Sequence, residues 1–314
     1  MNRFRRISTM LPVLLLGLAL PSCKQAMELP EDISTHGGGI DHLFWLIMVL
    51  TGIAFVVTEF LLVYAVFRFH HTEGRKAEHV HGHHLVEMVW TIVPGIILFF
   101  LAIYQISAWT KAKIDIPADD DPNVVVVRVL ARQFEWAFQY AGPDGKFDTA
   151  DDPYSLSNFV VPVHTKIKLH LRSRDVLHSF FLPNLRFKQD LLPGKDIGQW
   201  FEATKTTAHA RAKRSLRPGW RNFNYEVACA ELCGLGHQKM RAVLTILSKD
   251  AFKEWLVTQS AKYNTETGDL DPPPAFAEEG GWRAALTTDD PTHGYRQAAP
   301  GEPGFHPIQH HKSN

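Results

Sequence analysis

Two long apolar runs, 43–67 and 85–109, flank a polar stretch at 68–84. At ~1.5 Å per residue each run can cross a ~30 Å hydrocarbon layer as a helix. Trp45, Trp90, Tyr104 and Trp109 stand towards their ends, where amphipathic rings straddle the membrane boundary. The pattern therefore predicts an antiparallel transmembrane hairpin. A shorter apolar run, 10–20, follows Arg3, Arg5 and Arg6, which describes a secretory signal rather than a span. From Asn123 the period changes. Segments 124–129, 159–163, 166–171, 198–203, 222–227 and 241–247 are short, rich in β-branched residues and punctuated by turn residues. Lys166-Ile167-Lys168-Leu169-His170-Leu171 alternates polar and apolar, as a strand with one buried face does. Many short strands predict an all-β sandwich, closed by an amphipathic helix over 249–263.

The expected organisation is a signal peptide (1–22), an outer N-terminal segment (23–42), the hairpin (43–110), the sandwich domain (111–263) and a tail (264–314). The last fifty residues hold seven prolines and six glycines, a composition that does not build a core. Lys+Arg and Asp+Glu both number 33, so there is no basic excess and no nucleic-acid partner is expected. Arg68, Arg75 and Lys76 between the spans, after an export signal, orient the hairpin loop inward. Both the N-terminus and the C-terminal domain then face the outer side.

Of three cysteines, Cys23 ends the signal. Leu20-Pro21-Ser22-Cys23 resembles a lipoprotein cleavage box, which implies a lipid anchor on Cys23. The other two lie in Cys229-Ala230-Glu231-Leu232-Cys233-Gly234-Leu235-Gly236-His237-Gln238-Lys239-Met240. Thiolate, thioether and imidazole are donors that suit copper, and two cysteines can each bridge two ions. A disulfide or a zinc site could use the same cysteines. Neither explains Met240, nor an upstream histidine, which Asp175-Val176-Leu177-His178-Ser179 supplies. No Cys-x-x-Cys-His occurs, so no covalently attached c haem is expected on this chain.

These motifs, with the hairpin, resemble subunit II of haem-copper cytochrome c oxidase, a membrane-anchored cupredoxin-like domain. The resemblance implies a binuclear copper A centre in which Cys229 and Cys233 bridge, and His178 and His237 cap one copper each. Met240 and the Glu231 carbonyl would be distant ligands, with the Glu231 side chain holding Mg or Mn at the interface with subunit I. It further implies electrons passing from a c-type cytochrome to haem in subunit I, where oxygen is reduced with proton translocation, in a bacterial inner membrane. Glu87, in Leu85-Val86-Glu87-Met88-Val89-Trp90, matches a glutamate at a proton-pathway entrance. The family's electron-accepting tryptophan is replaced in Gln133-Phe134-Glu135-Trp136, where Phe134 takes the first place and Trp136 remains. Bacterial oxidases that work beside alternative complex III look similar here, which makes that complex's haem domain a candidate donor. A copper-free scaffold in a quinol oxidase is the alternative reading.

Four features stand outside the resemblance. Carboxylates between Asp144 and Asp152 around a glycine turn could hold calcium. Six histidines (His70, His71, His79, His81, His83 and His84) read as a solvated loop, and Arg211, Lys213, Arg214, Arg217 and Arg221 as a solvated basic segment. Glu59, within the first span, is expected to face protein rather than lipid.

Overall fold

The computed structural model describes residues 29–266 except 77, 78, 80, 143, 150, 151, 217 and 218. The signal segment, Cys23 and the tail beyond residue 266 lie outside them. The chain divides into two compact units, Met1–Asp32 and Ile33–Asn314, and the architecture below is that of the second.

Both apolar runs are helices, α1 (Gly37–Arg68) and α2 (His84–Lys113), and both are long and apolar enough to span a membrane. Each starts before its apolar run because polar residues satisfy the first free N–H groups. The Ser34 hydroxyl accepts from the N–H groups of His36 and Gly37 at 3.1 and 2.8 Å, and His83 Nδ1 accepts from Val86 at 3.4 Å.

Among the described residues the domain has ten strands: β1 (Val124–Arg132), β2 (Glu135–Tyr140), β3 (Tyr154–Leu156), β4 (Asn158–Pro162), β5 (Lys166–Ser173), β6 (His178–Leu182), β7 (Phe187–Leu191), β8 (Ile197–Glu202), β9 (Tyr225–Cys229) and β10 (Arg241–Leu247). Helix α3 (Thr207–Lys213) lies between β8 and β9, and α4 (Lys249–Glu266) follows β10. They form two five-stranded sheets, ordered β3-β2-β1-β5-β8 and β4-β10-β9-β6-β7. Alternate residues of both sheets turn inward, among them Val127, Val129, Trp136, Phe138, Phe159, Leu169, Phe180 and Leu244, all essentially solvent-free. Aromatic rings knit the sheets together, with Phe138 stacked on Phe159 at 4.7 Å and Trp136 edge-on to Phe180 at 5.1 Å. This is the expected sandwich, and α4 closes it by setting Trp255 against Tyr140 at 5.0 Å.

Four strands, β2, β3, β6 and β7, and helix α3 were not legible in the sequence. In β2, Trp136, Phe138 and Tyr140 turn inward, and Ala137 and Gln139 on the other face are buried as well. Expected strand 222–227 begins only at Tyr225, after a 3₁₀ turn at Trp220–Asn222.

The segment expected as a separate outer piece is partly annexed by the sandwich. Ile33 is completely buried in the core, its N–H bonds the Asn184 carbonyl at 2.9 Å, and Ser34 bridges to Ala203 beside β8. Two further contacts tie the helices to the domain. Arg186 grips Asp41 in a two-pronged ion pair at 2.6 and 2.9 Å, and Lys113 donates to the Lys188 carbonyl and to Gln189 at 3.1 and 3.0 Å. The basic segment is also less free than its composition suggests. Arg211 bonds the Phe223 carbonyl and Asn224, and the Arg214 guanidinium lies 3.9 Å from the Phe223 ring centre.

Candidate metal centre

Strand pairing assembles the cluster. Strands β6 and β9 pair antiparallel with Phe180 opposite Cys229, which brings His178, at the head of β6, beside the last residue of β9. Beyond Cys229 the chain loops back to β10, and the Cys229 N–H to Met240 carbonyl bond at 3.2 Å closes that loop. Within it, His237 N–H bonds the Gly234 carbonyl and Met240 N–H bonds the His237 carbonyl, both at 3.1 Å. Gly234 has φ 132°, a conformation side chains disfavour.

The donor atoms converge. Cys229 and Cys233 are free thiols whose sulfurs stand 3.9 Å apart, well beyond the ~2.05 Å of a disulfide. His178 Nδ1 lies 3.8 Å from the Cys229 sulfur, and His237 Nδ1 lies 3.6 Å from that of Cys233. Met240 Sδ is 3.7 Å from the Cys233 sulfur, and the Glu231 carbonyl 3.2 Å from that of Cys229. Among the described residues, the ligand atoms of His178, Cys229 and Cys233 form a group lying within 4.8 Å of one another. Ligands ~2.0–2.3 Å from a tetrahedral ion lie about 3.3–3.8 Å from each other, so this set fits a metal. Each sulfur has its own neighbours: the His178 nitrogen and the Glu231 carbonyl lie beside Cys229, and the His237 nitrogen and the Met240 thioether lie beside Cys233.

The supporting residues are specific too. Asp175 Oδ1 accepts from His178 Nε2 at 2.8 Å and from the Val176 N–H at 2.7 Å, leaving Nδ1 for the sulfur side. Asp175 Oδ2 accepts from the Gln133 N–H at 2.7 Å, and the Gln133 side-chain amide donates to the Cys233 carbonyl. Asp175 and Gln133 were missed as site residues. Both stood in the quoted motifs, but only the fold shows that they join the ligand strand to the ligand loop. Burial disfavours the charged form of His178, yet its hydrogen bonds to Asp175 and Cys229 raise its pKa. Burial likewise opposes ionisation of Cys229, but hydrogen bonding to His178 and to nearby backbone brings that thiol down to about 6. Burial and the neighbouring Cys229 push Cys233 up to about 12. The two thiols are thus shifted in opposite directions, and a cation between the sulfurs would favour ionisation of both.

The remaining expected residues fall out as follows. Phe134 is half-buried, and its ring covers Gly234 and Gly236 so closely that a Cβ on Gly236 would collide with it. Trp136 is wholly buried beneath, its ring 6.1 Å from that of His178. Glu231 is half-buried, while Leu232 and Leu235 are 78% and 85% exposed, so the loop presents an apolar rim. Glu87 is far along the chain from this cluster, in the first turn of α2, where its carboxylate faces the His83 N–H at 3.4 Å and His84 Nδ1 at 3.8 Å. The acidic loop is held by its own protein partners. Asp148 pairs with Arg128 at 2.8 Å, and Asp152 accepts from Gln139, the Asp148 N–H and Thr149 at 2.6, 2.7 and 3.0 Å. Its described carboxylates form no metal-binding group.

Comparison with known proteins places this geometry. Residues 22–107 match the transmembrane domain of cytochrome c oxidase subunit II, and residues 125–247 match the periplasmic domain of the same subunit. The chain belongs to the cytochrome c oxidase subunit II family. It is thus a two-pass membrane subunit of an oxidoreductase, with a cupredoxin-like domain. The alternative cytochrome c oxidase subunit 2 of Bradyrhizobium diazoefficiens is 28% identical over 249 residues, covering 72% of this chain and 82% of that protein. Cytochrome c oxidase subunit 2 of Alkalihalophilus pseudofirmus is 29% identical over 280 residues, covering 86% and 73%. Among solved structures, the periplasmic domain of subunit II of cytochrome oxidase from Bradyrhizobium japonicum aligns with 47% of this chain and 99% of its own, at 23% identity and a TM-score of 0.36.

Proposed function

We propose that this subunit II receives single electrons at a binuclear copper A site and delivers them to haem in the catalytic subunit. The observation that carries the reading is the pair of sulfurs 3.9 Å apart, each with its own imidazole nitrogen within 3.8 Å. Six donors gathered around two sulfurs are more than one four-coordinate ion can use. Cys229 and Cys233 would bridge, His178 and His237 cap, and Met240 and the Glu231 carbonyl complete the set. Bound there, the copper pair would supply a one-electron relay.

The protein's own part is to hold the donors still. Asp175 fixes the His178 ring, Gln133 pins the Cys233 carbonyl, and backbone bonds shut the loop. A cage that moves little keeps the barrier to electron transfer low. Phe134 covers the ligand loop at Gly234 and Gly236, and the Cys233 side chain is buried. The donor, a c-type cytochrome or the haem domain of alternative complex III, would approach over Phe134, because Trp136 is too deep to be touched. The Glu231 carboxylate would hold Mg or Mn against subunit I, and Glu87 would admit protons from the inner side. Cys23 would carry the lipid, which intact mass of the mature chain reports.

Copper loading of the full chain in detergent tests the reading. Spin resonance should show one unpaired electron split by two equivalent copper nuclei. Splitting by a single nucleus, or no copper retained, would return the chain to a mononuclear site or a scaffold.

A further inference from the structure

The two histidines of the centre are held in different ways. His178 stands on a strand, and Asp175 fixes its ring through Nε2. His237 stands on a single 3₁₀ turn, His237–Lys239. Among the described residues its ring makes hydrogen-bond contact with cysteine sulfur alone, Nδ1 lying 3.6 Å from that of Cys233. No carboxylate orients it as Asp175 orients His178. The place of the His237 ring therefore depends on the backbone that carries it, and Gly234-Leu235-Gly236 comes immediately before. Glycine has the most conformational freedom to lose, so two glycines in three positions make a soft support unless something holds them.

One side chain does so. The Phe134 ring spans both glycines, a different edge against each. A Cβ on Gly234 would stand 3.1 and 3.2 Å from its Cζ and Cε1, and a Cβ on Gly236 would stand 2.5 and 2.8 Å from its Cγ and Cε2. The ring thus occupies the volume that any residue other than glycine would need at position 236. Leu235, between the two, is 85% exposed and does not anchor the turn. Phe134 is itself rooted, since it packs against the sandwich core, and its neighbour Gln133 holds the Cys233 carbonyl.

We propose that Phe134 is the positioning residue for His237: its ring seats the Gly234–Gly236 turn and so sets where the His237 imidazole meets the sulfurs. The inference deepens the copper reading and rests on it for what the histidine holds.

The test uses the full chain in detergent, with copper affinity from chelator competition and the spin-resonance spectrum as readouts. Phe134→Ala should lower copper affinity about 10- to 100-fold and change the copper splitting, while the sandwich keeps a cooperative melting transition. Gly236→Ala should do the same, because the added methyl drives the turn off the ring. Joined to Phe134→Ala, where the ring is gone, Gly236→Ala should cost only about twofold or less. Phe134→Leu, which keeps apolar bulk over the turn, should recover most of the affinity. Losses that multiply in the double variant would overturn the proposal, as would wild-type affinity and splitting in Phe134→Ala. Hydrogen exchange of the metal-free chain separates this outcome from failure of the copper reading. Segment 230–240 should exchange faster in Phe134→Ala than in wild type whether or not two coppers bind, and equal rates would overturn the seat. A single-nucleus signal in wild type, with faster exchange in the variant, would overturn the copper pair and support the seat.

Discussion

Two histidines eight positions apart do opposite work. His170, on β5, has both ring nitrogens on carboxylates: Nδ1 meets Asp196 and Nε2 meets Asp119, each at 3.1 Å. His178, on β6, gives only Nε2 to a carboxylate, Asp175, and turns Nδ1 to the Cys229 sulfur. Two carboxylates hold an imidazole in its doubly protonated form, which has no lone pair for a metal. One carboxylate orients the ring and leaves a donor free. The same side chain is thus a clamp in one place and a candidate ligand in the other, and the number of carboxylates around it decides which. The His170 clamp has its own role. Asp119 belongs to the linker between α2 and β1, and it also pairs with Lys168 at 2.7 Å, while Arg172 joins Asp196 at 3.0 Å.

The contrast breaks most sharply at the sulfurs. Cys229→Ser or Cys233→Ser in the assembled oxidase should cut oxygen consumption on the native donor by more than about 100-fold, beyond the range of changes to supporting residues. Full-speed respiration in either variant would remove the relay. Asp175→Asn should come next. The His178 ring loses its anionic anchor, and copper affinity should fall by about 10- to 100-fold while the fold survives. Competition with a copper chelator measures this, and an unchanged affinity would leave Asp175 only a turn residue.

At the clamp the effect should be on stability alone. His170→Ala should cost about 1 kcal/mol, because the pairs are partly exposed and screened. Thermal melting in detergent would show the loss, and the copper spectrum should be unmoved. A changed spectrum would mean that the two histidines are coupled.

The smallest effect is a pH dependence. The Asp196 hydrogen bond, with help from Asp119 and against burial, raises the His170 pKa above its ordinary 6.5. A raised folded value means that the clamp's contribution is complete below 6.5 and is lost as pH rises through the folded value. Burial opposes ionisation of both acids, but Lys168 and His170 hold Asp119 below its ordinary 3.8, and His170 and Arg172 do the same for Asp196. Their share is present above 3.8 and fades as pH falls through the depressed values. The melting difference between wild type and His170→Gln should therefore be widest in mild acid and narrow above neutrality. A difference that is flat with pH would mean that His170 contributes packing rather than charge.

The sequence by itself determined the features that are contiguous. A bilayer sets a minimum apolar length, so α1 and α2 were legible as runs. The ligand loop was legible because five of the six donors fall from Cys229 to Met240, and the family followed from those residues with the hairpin. Strands that alternate, such as β5, were visible; β2, buried on both faces, was not. Tertiary structure alone decided what depends on distant parts meeting. The pairing of β6 with β9 sets His178 beside Cys229, and Asp175 reaches Gln133 across forty-two positions. Phe134 folds over two loop glycines, and Ile33, expected outside the domain, completes its core. Among the described carboxylates of the acidic loop, Asp148 meets Arg128 and Asp152 meets Gln139. Spacing along a chain reports which donors can be neighbours on one turn or one strand. Which oxygen, nitrogen or sulfur finally satisfies another is settled only when both sheets close and every buried polar group must find a partner.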